Sequence, residues 1–337
     1  MGRVQIVAEI GVNHNGKVET GKKLIDAAVK SGADAVKTQL FVAEKLASAT
    51  ARKAAYQMNA TGGGNSQLEM LKKLELTVEQ YGELDAYAKS AGILFFAAPF
   101  DIESVAALER SGCPIYKIPS GEITNLPYLE KIASLNKKVY LSTGMSTLQE
   151  VRAAIRVFLH TGTELTLLHC HTQYPTDFAD ANLMAIVTLR NETGLPVGYS
   201  DHTPGMEAPV AAVALGATVI EKHFTLDKSL PGPDHKASLE PDEFAQMVHA
   251  IRNVEKALGD GVKIATRSEA ENIVVARKSI VAAGPIRRGD IISGEMITAK
   301  RPGGGVSPML WHDVIGSVAD RNYAADDQIV FNNVSPE

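Results

Sequence analysis

Residues 197–223 read VGYSDHTPGMEAPVAAVALGATVIEKH. An apolar run, Val197–Tyr199, passes into Ser200-Asp201-His202. Met206–Leu215 then carries Ala, Val and Leu at helical spacing, and Thr218–Lys222 repeats the short apolar run before His223. A strand that is apolar at consecutive positions is covered on both faces. Two such strands joined through a helix make a parallel βαβ unit. The same alternation extends back to the start of the chain. Further strands are expected at Val4–Ile10, Ala35–Thr38, Ile93–Ala98, Ile115–Ile118, Lys138–Ser142 and Leu165–His169. Helical patterns follow them at Val18–Ser31, Thr77–Ser90, Ile102–Ser111, Leu126–Ser134, Leu148–His160, Ala181–Thr193 and Pro241–Leu258. Eight strand–helix units within residues 1–266 match an α/β fold of the (β/α)8 TIM-barrel type. Six or seven strands would instead favour a doubly wound open sheet.

The composition supports a large core, with 45% apolar and 22% charged residues among 337. A formal net charge of −5 gives no reason to expect nucleic acid or an anionic membrane as partner. No apolar run is long enough to span a bilayer, and two cysteines, Cys113 and Cys170, imply no disulfide framework. A cytoplasmic location is the expectation. The longest interruption of the pattern is Phe41–Lys73, which contains Gly62-Gly63-Gly64-Asn65 and reads as a lid or binding loop. After Gly261 the helical period fades. Residues 267–277 read as a linker, and 278–337, rich in short strands and turns, as a small mostly-β second domain.

In a barrel of this kind the chemistry sits at the C-terminal ends of the strands. Those ends carry Glu9, Lys37, Lys117 with Ser120 and Glu122, Ser142, His169 leading to Tyr174, Ser200 with His202, and His223. Taken singly, each has a structural reading: a snorkelling lysine, a capping serine, a hydrogen-bonded histidine. Their gathering at one rim is less easily structural. Lys37 and Lys117 lie in apolar strands, so each wants an anion, either a carboxylate such as Glu9 or Glu122 or a substrate phosphate. His202 and His223 end adjacent strands. With water and substrate oxygens they would suit manganese, or magnesium or cobalt in its place, in an open site.

Together these segments resemble the sialic acid synthase family, also called N-acetylneuraminate or nonulosonate synthases. The resemblance is carried by Ala8–Gly16 (AEIGVNHNG), Val36–Gln39 (VKTQ), Tyr116–Glu122 (YKIPSGE), Leu141–Met145 (LSTGM), Gly198–Thr203 (GYSDHT), Ile220–Thr225 (IEKHFT) and Pro231–His235 (PGPDH). Ala276–Ile280 (ARKSI) and Lys300–Gly303 (KRPG) resemble that family's antifreeze-like (SAF) domain. The resemblance implies an enzyme that condenses phosphoenolpyruvate with the open-chain aldehyde of N-acetylmannosamine and releases phosphate. Lys37, Lys117, Ser120, Ser142 and Ser200 match positions that grip phosphoenolpyruvate, and His202 and His223 match metal ligands. Glu9 matches the catalytic carboxylate. Glu122, Tyr174 and Asp234 match residues that meet the sugar or its aldehyde. Arg301 matches an arginine delivered to the partner's site in a domain-swapped homodimer. Two departures stand out: Ala97-Ala98 before Pro99-Phe100 removes an expected hydroxyl, and His171 follows Cys170. The alternatives are a legionaminic or pseudaminic acid synthase acting on a diacetylated trideoxy-hexose, a 9-phosphate synthase using N-acetylmannosamine 6-phosphate, or a carbohydrate- or ice-binding protein with a degenerate barrel.

Overall fold

The computed structural model describes residues 2–62 and 66–331. The part Gly63-Gly64-Asn65 of the glycine tract lies outside the described residues. The chain divides after Gly259 into two compact units.

In the first unit eight parallel strands close into a barrel in sequence order. They are β1 (Gln5–Gly11), β2 (Ala35–Leu40), β3 (Leu94–Pro99), β4 (Ile115–Ile118), β5 (Lys138–Ser142), β6 (Glu164–Cys170), β7 (Val197–Asp201) and β8 (Val219–His223). The closure decides against the open sheet. Eight helices follow the strands: Val18–Lys30, Val78–Ser90, Ile102–Ser111, Leu126–Ala133, Leu148–Phe158, Met184–Thr193, Glu207–Ala214 and Pro241–Ala257. Several of their starts are chemically marked. Asp101 accepts from Ser104 N at 2.7 Å, and Thr77 and Thr147 form reciprocal caps with Gln80 and Glu150. One apolar core joins strand residues such as Ile6, Phe96, Leu141 and Ile220 to Leu24, Leu84 and Ile132 of the helices. No helix of the described residues is long and apolar enough to cross a membrane.

The Phe41–Lys73 segment is not a bare loop. It holds three short helices, Ala43–Leu46, Ala55–Thr61 and Gln67–Lys72. Pieces this short show no period in sequence and owe their form to tertiary contact. Here Val12, Phe41, Ala43, Ala47, Met70, Leu71 and Leu74 supply it, as a second apolar cluster separate from the barrel core.

The second unit has a core of its own, built on Ile280, Ile286, Ile292, Ile297, Val314, Tyr323 and Ile329. Antiparallel strands β9 (Ser279–Ala282) and β10 (Ile297–Lys300) form a small two-stranded sheet, joined by isolated bridges such as Ile286 to Tyr323 and otherwise connected by turns and short helices. The expected linker contains a helix, Ala270–Ala276, introduced by a tight turn in which Thr266 and Glu269 cap each other.

Candidate active site

Strand register brings the polar residues to one level. Glu9 on β1 lies beside Lys37 on β2 and His223 on β8, and Ser200 on β7 lies beside Glu221 on β8. Side chains alternate along a strand, so Glu221 and His223 point one way and Lys222 the other, where it pairs with buried Asp201. The inward residues line a cavity of about 410 Å³, a size suited to small metabolites.

The charged part of that cavity is a chain of ion pairs. Lys37 Nζ lies 2.7 Å from Glu9 Oε2 and 3.4 Å from Glu221 Oε1. Lys117 Nζ lies 2.9 Å from the same Glu221 oxygen, which also accepts from Ser200 Oγ at 2.9 Å. Gln39 Nε2 donates to Glu9 Oε1 at 3.2 Å. Lys37 therefore has Glu9 as foreseen, while the carboxylate for Lys117 is Glu221, not Glu122. Sequence reasoning did not single out Glu221. The readable signal was the two-residue period that puts it on the face of His223.

Burial disfavours every charge here, and the neighbours decide the outcome. Burial raises the Glu9 pKa; Lys37 opposes this and the Glu221 charge adds to it. Burial also resists ionisation of Glu221, but Lys117 and Lys37 overcome it and hold that carboxyl well below its ordinary range. Lys37 is likewise kept charged against burial by Glu221 and Glu9. Asp234 is pushed up to about 7 by burial, with the Glu9 charge adding.

The cavity gathers most of the expected site. Glu9, Lys37, Lys117, Ser120, Ser142, Tyr174, Ser200, His202, His223 and Asp234 all line it. Ser142 Oγ and Glu221 Oε2 are buried without a hydrogen-bond partner among the described residues. Such groups are costly unless a ligand satisfies them. Ser120 Oγ accepts from Gly144 N at 3.1 Å and sits 3.1 Å from Cys170 Sγ. Tyr174 packs between Tyr56, 4.9 Å away between ring centres, and His202, 4.0 Å away. Tyr56 was not foreseen, because its short helix carries no sequence signal.

Two expected residues stand elsewhere. Glu122 lies on a tight turn, Ser120–Glu122, and does not line the cavity. Its carboxylate accepts from Asn125 Nδ2 at 2.6 Å beside a neighbouring pocket that holds Asp101 and Glu103. Arg301 belongs to the second unit, where it is exposed and makes no ion pair among the described residues. Ala97 and Ala98 are buried in β3 away from the cavity lining, and His171 contributes its carbonyl, which accepts from His202 Nδ1 at 2.5 Å.

The histidine pair fits a divalent ion chemically. His202 Nδ1 is committed to that carbonyl, which leaves Nε2 with its lone pair. His223 Nδ1 is buried without a hydrogen-bond partner and lies 3.8 Å from Asp234 Oδ2; the two rings are 5.2 Å apart. Burial lowers the His202 pKa to about 4 and that of His223 well below its ordinary value, so both rings are neutral, as ligation requires. Among the described residues no His, Cys, Asp or Glu group of three is arranged around one point, so the remaining positions would fall to water or substrate.

His14, on the turn after β1, is also held neutral by burial, with its pKa lowered to about 4 from 6.5. The stability of the free protein should therefore fall as pH drops from 6.5 toward 4. In that window the unfolded chain binds protons that folded His14 refuses, and above 6.5 its contribution is intact. Urea titrations of His14→Gln should show a shallower pH slope there; an unchanged slope would mean that His14 titrates normally.

Comparison with known proteins accords with this geometry. The NeuB family description matches residues 24–263 and the SAF domain description residues 277–335. The N,N'-diacetyllegionaminic acid synthase of Campylobacter jejuni is 51% identical over 332 residues, covering 98% of this chain and 99% of that protein. The enzyme of the same name from Legionella pneumophila is 45% identical over 334 residues, covering 98% and 94%. A solved structure, the sialic acid synthetase of Leptospira borgpetersenii in complex with citrate, aligns with a TM-score of 0.72 at 35% identity, over 81% of this chain and 90% of that one.

Proposed function

The chain belongs to the NeuB family, whose enzymes condense phosphoenolpyruvate with a sugar, and on that premise we propose that its acceptor is a diacetylated 2,4,6-trideoxy-hexose and its product N,N'-diacetyllegionaminic acid. The N-acetylmannosamine expected from sequence gives way to this alternative. The observation that carries the reading is the division of the cavity. Two ammonium groups lie together at its charged part, and the wall contributed by the 41–74 segment sets an apolar surface, Leu46, Met70, Leu71 and Leu74, beside the polar Tyr56, Gln57 and Gln67. That wall suits a methyl group better than a 6-hydroxyl. A 6-phosphorylated acceptor would need further cations. Lys45 is paired with Glu103 at 3.0 Å, Lys53 Nζ donates to Thr61 Oγ1 at 3.0 Å and to Gly62 O at 2.9 Å, and neither they nor Arg52 line the cavity. The relatives named for the diacetylated product support the same choice.

In this reading Lys37, Lys117, Ser120, Ser142 and Ser200 hold the phosphate and carboxylate of phosphoenolpyruvate. Its C3 attacks the aldehyde carbon and the new C–C bond forms as the aldehyde oxygen takes a proton. Water adds to the cationic C2, loses a proton, and the C2–O bond to phosphate breaks to leave the ketone. Glu9 directs that water and holds its proton. A divalent ion held by His202 and His223, manganese by preference, would supply positive charge for the oxygen that gains negative charge. The reading includes a homodimer that brings Arg301 of one copy to the other's cavity.

Turnover assays with phosphoenolpyruvate and each of three acceptors test the proposal. The diacetylated trideoxy sugar should give a kcat/KM at least ~10-fold above N-acetylmannosamine, as pocket complementarity of this kind typically allows, and N-acetylmannosamine 6-phosphate should be inert. Equal or better turnover of N-acetylmannosamine would sink it. For the metal, calorimetric titration with manganese should show binding to the wild type and none to His223→Ala; retained binding would remove the histidine pair from the account.

A further inference from the structure

We infer that Tyr56 and Gln67, aligned by Gln57, are the specificity-determining residues that recognise the acceptor's second acetamido group. This rests on the diacetylated-acceptor reading and assigns the atoms that would enforce it.

These are the polar side chains that the short helices of the 41–74 segment present to the cavity. Gln57 Oε1 accepts from Ala54 N at 3.0 Å and from Gln67 Nε2 at 3.4 Å, and Gln57 Nε2 donates to Tyr56 Oη at 3.4 Å. The backbone bond fixes which end of the Gln57 amide is the oxygen, and so orders the whole chain. Two groups are left over. The Tyr56 hydroxyl accepts from Gln57 and keeps its own proton to donate. Gln67 Oε1 has no donor among the described residues. A donor and an acceptor joined through one bridging amide are the complement of a secondary amide, which offers one C=O and one N–H.

The surroundings complete the match. Met70, Leu71 and Leu74 stand on the same segment as Gln67 and line the same cavity, providing apolar surface for an acetyl methyl. The Tyr56 ring stacks on Tyr174 at 4.9 Å and 23°, and Tyr174 in turn lies against His202. The amide-reading pair is thereby held at a set distance from the reacting end of the cavity. A hydroxyl in place of the acetamido group would leave the methyl surface uncovered and one of the two polar groups unmet.

The test pairs two variants with two acceptors: the diacetylated sugar and its mono-acetylated counterpart bearing a hydroxyl at the second position. Tyr56→Phe and Gln67→Leu should each raise KM for the diacetylated sugar about 10-fold, the effect of one lost hydrogen bond, while KM for the mono-acetylated sugar and for phosphoenolpyruvate changes less than about twofold. Wild-type turnover of the diacetylated sugar with variants that weaken both acceptors equally, or neither, would overturn this assignment alone. A wild type inert toward the diacetylated sugar would overturn it together with the reading beneath it.

Discussion

Glu221→Gln should cost the free enzyme about 3–5 kcal/mol of stability at neutral pH, the usual penalty for breaking a buried charge pair from one side. Glu221 is 2% exposed, and its one oxygen serves Lys37, Lys117 and Ser200 together. A glutamine keeps the shape and removes the charge, leaving two buried ammonium groups with the single carboxylate of Glu9. The deficit should be specific in two ways. Because the folded pKa of Glu221 is depressed, its contribution is present above the ordinary value of 4.5 and lost as pH falls below it, so wild type and variant should converge in acid. An anion can also stand in for the missing carboxylate. Inorganic phosphate or phosphoenolpyruvate should therefore raise the melting temperature of the variant more than that of the wild type. Equal stability and equal ligand shifts would show that the lysines do not depend on Glu221.

Glu9→Gln should lower kcat by about 10²–10⁴, the span of a positioned proton-transfer group, while KM for phosphoenolpyruvate moves only a few-fold. The carboxyl lies beside Lys37 and level with His223, with Gln39 fixing its second oxygen. Burial holds its pKa up and Lys37 pulls it down, so it is poised to exchange a proton instead of serving only as a counter-ion. Glutamine preserves the hydrogen bond from Gln39 and loses the proton exchange. Single-turnover measurement of phosphate release separates this from binding. A variant that releases phosphate at the wild-type rate would leave Glu9 as a purely structural partner of Lys37.

The barrel was legible because parallel strands buried on both faces print as short, largely apolar runs, unbroken in Leu94–Pro99 and interrupted in Ile115–Ile118 only by Lys117. The site was legible as far as it followed strand ends. It became unreadable where contact is made across the sheet. Glu221 acquires its role from register with Ser200 and from the reach of two lysines on other strands, neither of which is written in the local sequence. Glu122 shows the opposite case: it is two residues from Ser120 in the chain, but both lie on one tight turn, which sets its carboxylate beside Asn125 and outside the cavity lining. Tyr56, Gln57 and Gln67 were hidden because helices of six or seven residues depend on Phe41, Met70 and Leu74 for their shape.

That second apolar cluster, apart from the barrel core, has a consequence for how the chain tolerates substitution. Mutations drifting through the segment it anchors can be absorbed within the cluster, without disturbing the packing on which the ion-pair chain relies. On the proposed reading, the acceptor's wall can thus be rewritten as a facade while the floor beneath it keeps its packing.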